Sequence, residues 1–180
     1  MSRIRGAVFI LPFAPLFSWL TARYIARHRE RLLPASQPIS ADDQGDLSGF
    51  FSSSLLAETR IVCASVPNPR IYRLIRMLGI EGVLEMSSIG AITLVDLIAY
   101  PDRMHRSTLF HELVHAVQYQ VLGLPRFADL YVRGFLNHGG YHGIPLERQA
   151  YELEERFSRK PKKIFSVEED VVHRLNSGLL

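Results

Sequence analysis

The chain has one cysteine, Cys63, so no disulfide can close within it and no second thiol exists to build a cysteine-based zinc site. That usage agrees with a reducing compartment, and cytoplasmic localisation is the expectation. Inside the apolar run "RIVCASV" the expected state of Cys63 is a small buried apolar side chain rather than a reactive thiol. No glycine-rich phosphate loop and no GxSxG elbow occurs, so nucleotide chemistry and serine hydrolysis have no support. The net charge of +3 is small and scattered. It lacks the basic stripe with interleaved aromatics that a nucleic-acid partner requires. There is no internal repeat and no low-complexity tract.

What is present is the composition of a folded protein. A 47% hydrophobic share with 22% charged residues is globular, and 180 residues suffice for one domain with a core. Two parts are expected: a basic-apolar N-terminal segment, 1–34, and a domain over 35–180. The segment starts with Arg3 and Arg5. An uncharged stretch from Gly6 to Ala22 follows, and then Arg23, Arg27, His28, Arg29 and Arg31. That stretch is shorter than the ~20 residues that span a bilayer, and it carries Pro12 and Pro15. No small-x-small cleavage site precedes Arg23.

Three readings of this segment stay open. It can be a helix packed on the domain with its arginines exposed, or a cleaved signal. It can also be an interfacial helix making peripheral membrane contact, with Trp19, Leu20 and Tyr24 on one side and arginines at the rim. The last would make the protein membrane-associated. "PASQPISADDQGD" reads as a linker, with Ser40 able to cap a short helix.

Further on, "RIVCASV" (Arg60 to Val66) and "GAITLVDLIAY" (Gly90 to Tyr100) read as strands, and "IYRLIRML" (Ile71 to Leu78) as a short helix. Ser107 as N-cap and Gly123 with Pro125 as stop delimit a helix over Thr108 to Leu122. "RFADLYVRGFLN" suggests another, followed by the turn "NHGGYHG". Pro145 stands where a first helical residue belongs and opens "PLERQAYELEERFSR". Ser166 begins a capping box for a last helix that stops at Gly178. The fold class expected is α+β, mostly helical, with a small sheet.

The stretch that carries chemistry is "FHELVHAVQY". His111 and His115 are four apart on a helix, so both imidazoles leave one face a turn apart, as two ligands of a tetrahedral Zn²⁺ require. Glu112 lies about 100° round the helix and can act on a water as general base without ligating. Leu109, Leu113, Val114 and Val117 would bury the helix, where unliganded histidines are costly to desolvate. A third ligand must come from elsewhere. Glu147 is the first choice, since a carboxylate in the first turn of a helix is favoured by the dipole. Glu154 faces the same side two turns on, and His142 and His138 are outside candidates.

HExxH with a downstream "ExxA" helix resembles the gluzincin branch of zinc metallopeptidases. More narrowly, "FHELVHAVQYQVLG…YVRGFL…GYHGIPLERQAYELE" resembles small bacterial HExxH metallopeptidases with a HELVHxxQY motif. The resemblance spans roughly Gly90 to Phe157. It implies a zincin-like fold with the sheet beside the HExxH helix, His111, His115 and Glu147 as ligands of Zn²⁺, and Glu112 as base. It implies a hydrolase acting on peptide or protein substrates. The metzincin form is excluded, because Gln118 and Val121 stand where it needs Gly and His. Gluzincins often carry Asp four residues after the third ligand; here that residue is Tyr151.

The expected mechanism is hydrolysis by a water on Zn²⁺, its proton taken by Glu112 and passed to the leaving amine. The oxyanion needs a further donor, for which His142, Tyr141 and Tyr151 are the candidates by sequence. "NHGGYHG" is either a glycine-hinged loop over the cleft or a tight turn. Two other readings stay open. The protein can hold zinc structurally or hydrolyse a different amide, or it can be a membrane-associated binding or scaffolding protein.

Overall fold

The computed structural model describes residues 11–67, 90–138 and 140–179. "IYRLIRML" lies outside them. The described residues form an α+β fold of seven α-helices and one small mixed sheet. In chain order the elements are α1 (Ala14–Leu32), β1 (Gln37–Pro38), α2 (Ala41–Leu47), α3 (Ser53–Glu58), β2 (Arg60–Cys63), β3 (Ile92–Leu94), β4 (Leu97–Tyr100), α4 (Arg106–Leu122), α5 (Leu124–Asn137), α6 (Pro145–Arg159) and α7 (Val167–Asn176). No described helix is long and apolar enough to cross a membrane.

Local chemistry accounts for most helix starts. The hydroxyls of Ser40, Ser52 and Ser166 accept from the backbone N–H three residues on, opening α2, α3 and α7. Pro145 is the first residue of α6, where its missing N–H costs nothing. Helix α4 differs from expectation: it starts at Arg106 behind His105, and no side-chain cap is used. Gly123, with φ of +72°, ends α4 and stands directly before α5, which takes Pro125 into its first turn.

The sheet order is β1-β2-β4-β3. Strand β2 runs parallel to β4, pairing Arg60 with Leu97 and Cys63 with Tyr100; β1 and β3 are antiparallel to their neighbours. The run expected as one strand over 90–100 is thus a hairpin, broken at Val95 and Asp96. Val95 has φ of +68°, a costly conformation for a β-branched residue. The turn is clamped from outside. Arg29 of α1 grips the Asp96 carboxylate with two nitrogens, and the Asp96 carbonyl accepts from Arg60 N–H at 2.8 Å.

The linker-like stretch is part of the fold. Gln37 and Pro38 pair with β2, Ile39 and Leu47 are buried, and Arg60 Nε donates to Ser36 Oγ at 2.7 Å. Cys63 is exposed rather than buried, because it is the last residue of β2 and its side chain leaves the sheet at its end.

Helix α4 is the centre of the molecule, with every residue from Leu109 to Tyr119 buried. On one side Phe110 stacks on Phe157 at 4.4 Å within a nest completed by Phe50, Phe51 and Phe165. On the other, Tyr119 stacks on Phe127 at 3.7 Å above Leu94, Leu97 and Leu146. Thr93 of β3 holds the same helix from the sheet.

Candidate metal centre

Two helices converge on one buried point. Helix α4 presents His111 and His115, one turn apart, and the first turn of α6 presents Glu147. All three are buried. His111 Nε2 and His115 Nε2 are 3.2 Å apart, and Glu147 Oε2 lies 3.5 Å from the first and 3.4 Å from the second. Two imidazole nitrogens and a carboxylate oxygen in one small triangle could hold a metal ion.

The approach of α6 depends on two glycines. A Cβ on Gly134 of α5 would stand 2.8 Å from Pro145 Cδ, so Gly134 lets α6 begin against α5. A Cβ on Gly143 would stand 2.0 Å from the His138 carbonyl oxygen. "NHGGYHG" is therefore closely packed at Gly143, and its 3₁₀ turn at Tyr141–Gly143 leads directly into α6.

The groups around the triangle settle which atoms face inward. Gln118 Nε2 donates to the Leu146 carbonyl at 3.0 Å and to Gln149 Oε1 at 3.1 Å. A carbonyl can only accept, so the amide oxygen of Gln118 is the end turned to His115 Nδ1, 2.8 Å away. Nδ1 then carries the proton and Nε2 keeps its lone pair for the triangle. Glu154 Oε2 does the same for His111 Nδ1 at 3.1 Å. Glu147 Oε1 accepts from Tyr131 OH at 2.9 Å, and Oε2 from Tyr141 OH at 2.7 Å. A further bond from Gln149 to Asp170 extends the network to α7.

With protons alone in the triangle, the charges are strongly coupled. Burial opposes a charged His111, but hydrogen bonds to Glu147 and Glu154 and the charge of Glu112 outweigh it, raising its pKa to about 10. Burial likewise opposes charge on His115, which Glu147 pushes up overall. Glu147 is held well below the usual carboxylate range: the cost of burial is overcome by His115, His111 and Tyr141. The two Nε2 atoms are only 3.2 Å apart, so two protonated rings would set like charges against each other across the triangle. A cation at that point would satisfy all three groups at once.

Glu112 sits beside the triangle but ligates nothing in it. Its carboxylate Oε2 is 2.7 Å from Thr93 Oγ1, and its backbone oxygen is 2.8 Å from the same hydroxyl. Burial raises its pKa, against the opposing pull of His115 and His111.

The structure brings His111, His115 and Glu147 together, with Glu112 beside them. Glu154 lies on the outer nitrogen of His111, the position of an orienting group rather than of a third ligand. Tyr151 packs its ring 4.5 Å from His111 at the exposed edge, and its hydroxyl bonds Tyr141. His142 is not drawn in: it is exposed, with its ring 5.4 Å from that of Tyr141. His138 is exposed at the end of α5. Thr93, Gln118 and Tyr131 were not singled out from sequence. Only Gln118, three residues after His115 on the same helix, carried a usable signal. No family model matches the chain, and no curated protein or solved structure is similar to it.

Proposed function

We propose that this protein is a zinc-dependent metallopeptidase with a zincin-like arrangement, in which His111, His115 and Glu147 are the ligands and Glu112 is the base. The observation that carries the reading is the triangle itself. Ligand bonds of about 2.0–2.1 Å in a tetrahedron put neighbouring ligand atoms about 3.3–3.4 Å apart. The observed separations of 3.2, 3.4 and 3.5 Å bracket that value. Two neutral imidazoles and one carboxylate, each oriented by an outer partner, suit zinc in chemistry as well.

A zinc ion held there would supply Lewis acidity to a carbonyl and lower the pKa of a water. The chain's own residues then account for the proton. Glu112 accepts it as the water oxygen attacks the carbonyl carbon, and donates it to the nitrogen as the C–N bond breaks. Thr93 fixes the Glu112 carboxylate for both transfers. Tyr141 has its hydroxyl committed to the buried Glu147, whereas Tyr151, at the exposed edge beside His111, could donate to a developing oxyanion by releasing its bond to Tyr141. Retention of a base that ligates nothing favours a catalytic over a structural metal, since a structural site closes all four positions.

The test is elemental analysis of the purified chain beside His111→Ala/His115→Ala and Glu147→Ala variants. One zinc per chain in the parent and none in the variants is expected. Negligible zinc in all three after zinc is added back would overturn the reading.

A further inference from the structure

The N-terminal helix α1 has two faces of opposite character. Its inner face, Ala14, Ser18 and Ile25, is buried, and Ser18 Oγ bonds Asp129 of α5 at 3.0 Å. At 100° per residue the opposite face runs through Leu16, Trp19, Arg23, Arg27 and Arg31, with Phe13 at the cap and the half-buried Leu20 toward one edge. Phe13, Leu16 and Trp19 are 57%, 52% and 56% exposed. The arginines at 23, 27 and 31 are exposed too. The outer face is thus apolar and aromatic in its first half and cationic in its second, with Glu30 its one acid. Tyr24 is not on it, because its hydroxyl donates to the Pro67 carbonyl.

Three large apolar side chains in a row are left more than half exposed by the described residues. They do not form a span: the helix is 19 residues with prolines at its start. The order of the residues narrows the occupant. Arg23 lies over the Trp19 ring at 5.5 Å, so the aromatic group and the cation meet at one level, as at the boundary between acyl chains and headgroups. A neutral apolar partner would leave the arginine row unpaired, and a purely acidic one would leave Phe13 and Leu16 in water. An anionic bilayer surface takes both halves.

We infer that α1 is a membrane-surface anchor that docks Phe13, Leu16 and Trp19 into the interface of an anionic lipid bilayer while Arg23, Arg27 and Arg31 pair with headgroup phosphates. Because the opposite face packs on α5, docking needs no unfolding and leaves the folded domain on the bilayer surface. This holds whether or not the buried triangle binds zinc.

Trp19 is the only tryptophan in the chain, so its fluorescence reports this face alone. The full chain is titrated with vesicles of phosphatidylcholine and phosphatidylglycerol, and with phosphatidylcholine alone. The expected result is a blue shift of Trp19 emission and co-sedimentation with the anionic vesicles only. The triple variant Arg23→Gln/Arg27→Gln/Arg31→Gln should bind roughly a hundredfold more weakly, about fivefold for each charge. Leu16→Ser should reduce the shift with an unchanged far-UV spectrum, since the side chain is exposed. No shift with anionic vesicles, or equal binding to neutral ones, would overturn the inference. A shift on raising protein concentration without lipid would assign the face to a second copy, and a shift with polyglutamate but not vesicles to an acidic protein. Either would overturn it as well.

Discussion

Helices α4 and α1 are nearly equal in length, 17 and 19 residues, and they solve opposite problems. Helix α4 takes charged and polar groups into the interior, and each has a partner: His111 with Glu154, Glu112 with Thr93, His115 with Gln118. Helix α1 carries apolar groups out into solvent, and Phe13, Leu16 and Trp19 remain more than half exposed. Buried polarity and exposed apolarity both cost free energy in a folded chain. A protein that retains both has a use for each. In α4 the use we propose is chemistry within the fold, and in α1 attachment outside it.

The largest effect should come from inside. Glu112→Gln should keep metal and lose roughly 10²–10⁴ of peptide hydrolysis, because an amide cannot take the proton. Cleavage of a peptide library by parent and variant at equal metal content measures it, and undiminished cleavage would remove Glu112 from the chemistry. A packing contrast comes next. Phe110→Ala should destabilise by about 3–5 kcal/mol in chemical denaturation, since it empties the nest against Phe157. Trp19→Ala on α1 should change stability by less than about 0.5 kcal/mol. Similar costs for the two would erase the distinction between the helices.

The orienting groups should matter less than the ligands. Glu154→Gln and Gln118→Ala should each weaken zinc binding about 10–100-fold without abolishing it, read by competition with a chromophoric chelator. A total loss in Glu154→Gln, with Glu147→Ala still binding, would exchange their roles.

The smallest effect concerns the clamp of α1 on the hairpin. Burial disfavours the charge on Asp96, but the hydrogen bond and charge of Arg29 outweigh it and lower the pKa. The stability this contributes is therefore present above the ordinary carboxylate range and is lost as pH falls through the lowered value, below about 4. Both groups are partly exposed, so the gain is under about 1 kcal/mol. The stability of Asp96→Asn should show a correspondingly shallower acid dependence.

Much of the site was legible because its core is local. The four-residue spacing of His111 and His115 sets their geometry on any helix. Pro145 and the early position of Glu147 set where that carboxylate points. What escaped the sequence is what acts across chain distance. Thr93 reaches Glu112 over 19 residues and Gln118 reaches the Leu146 carbonyl over 28, and neither has a spacing signature. The hairpin break was hidden for another reason. Val95, β-branched and at positive φ, is not a residue a tight turn favours, and the turn is held by Arg29 and Arg60 from elsewhere.

The sequence by itself determined the helices opened by Ser40, Pro145 and Ser166, the mostly helical α+β class, and the pairing of His111 with His115 around Glu112. All of these rest on contacts within about four residues, which helical geometry repeats wherever the helix sits. Tertiary structure alone decided that Glu147 rather than Glu154 completes the triangle, that His142 stays outside it, and which face of α1 is left bare. Those choices depend on where α5 and α6 cross α4 and on which face of α1 meets α5. Helix packing sets both, and glycine at 134 lets the start of α6 lie close against α5.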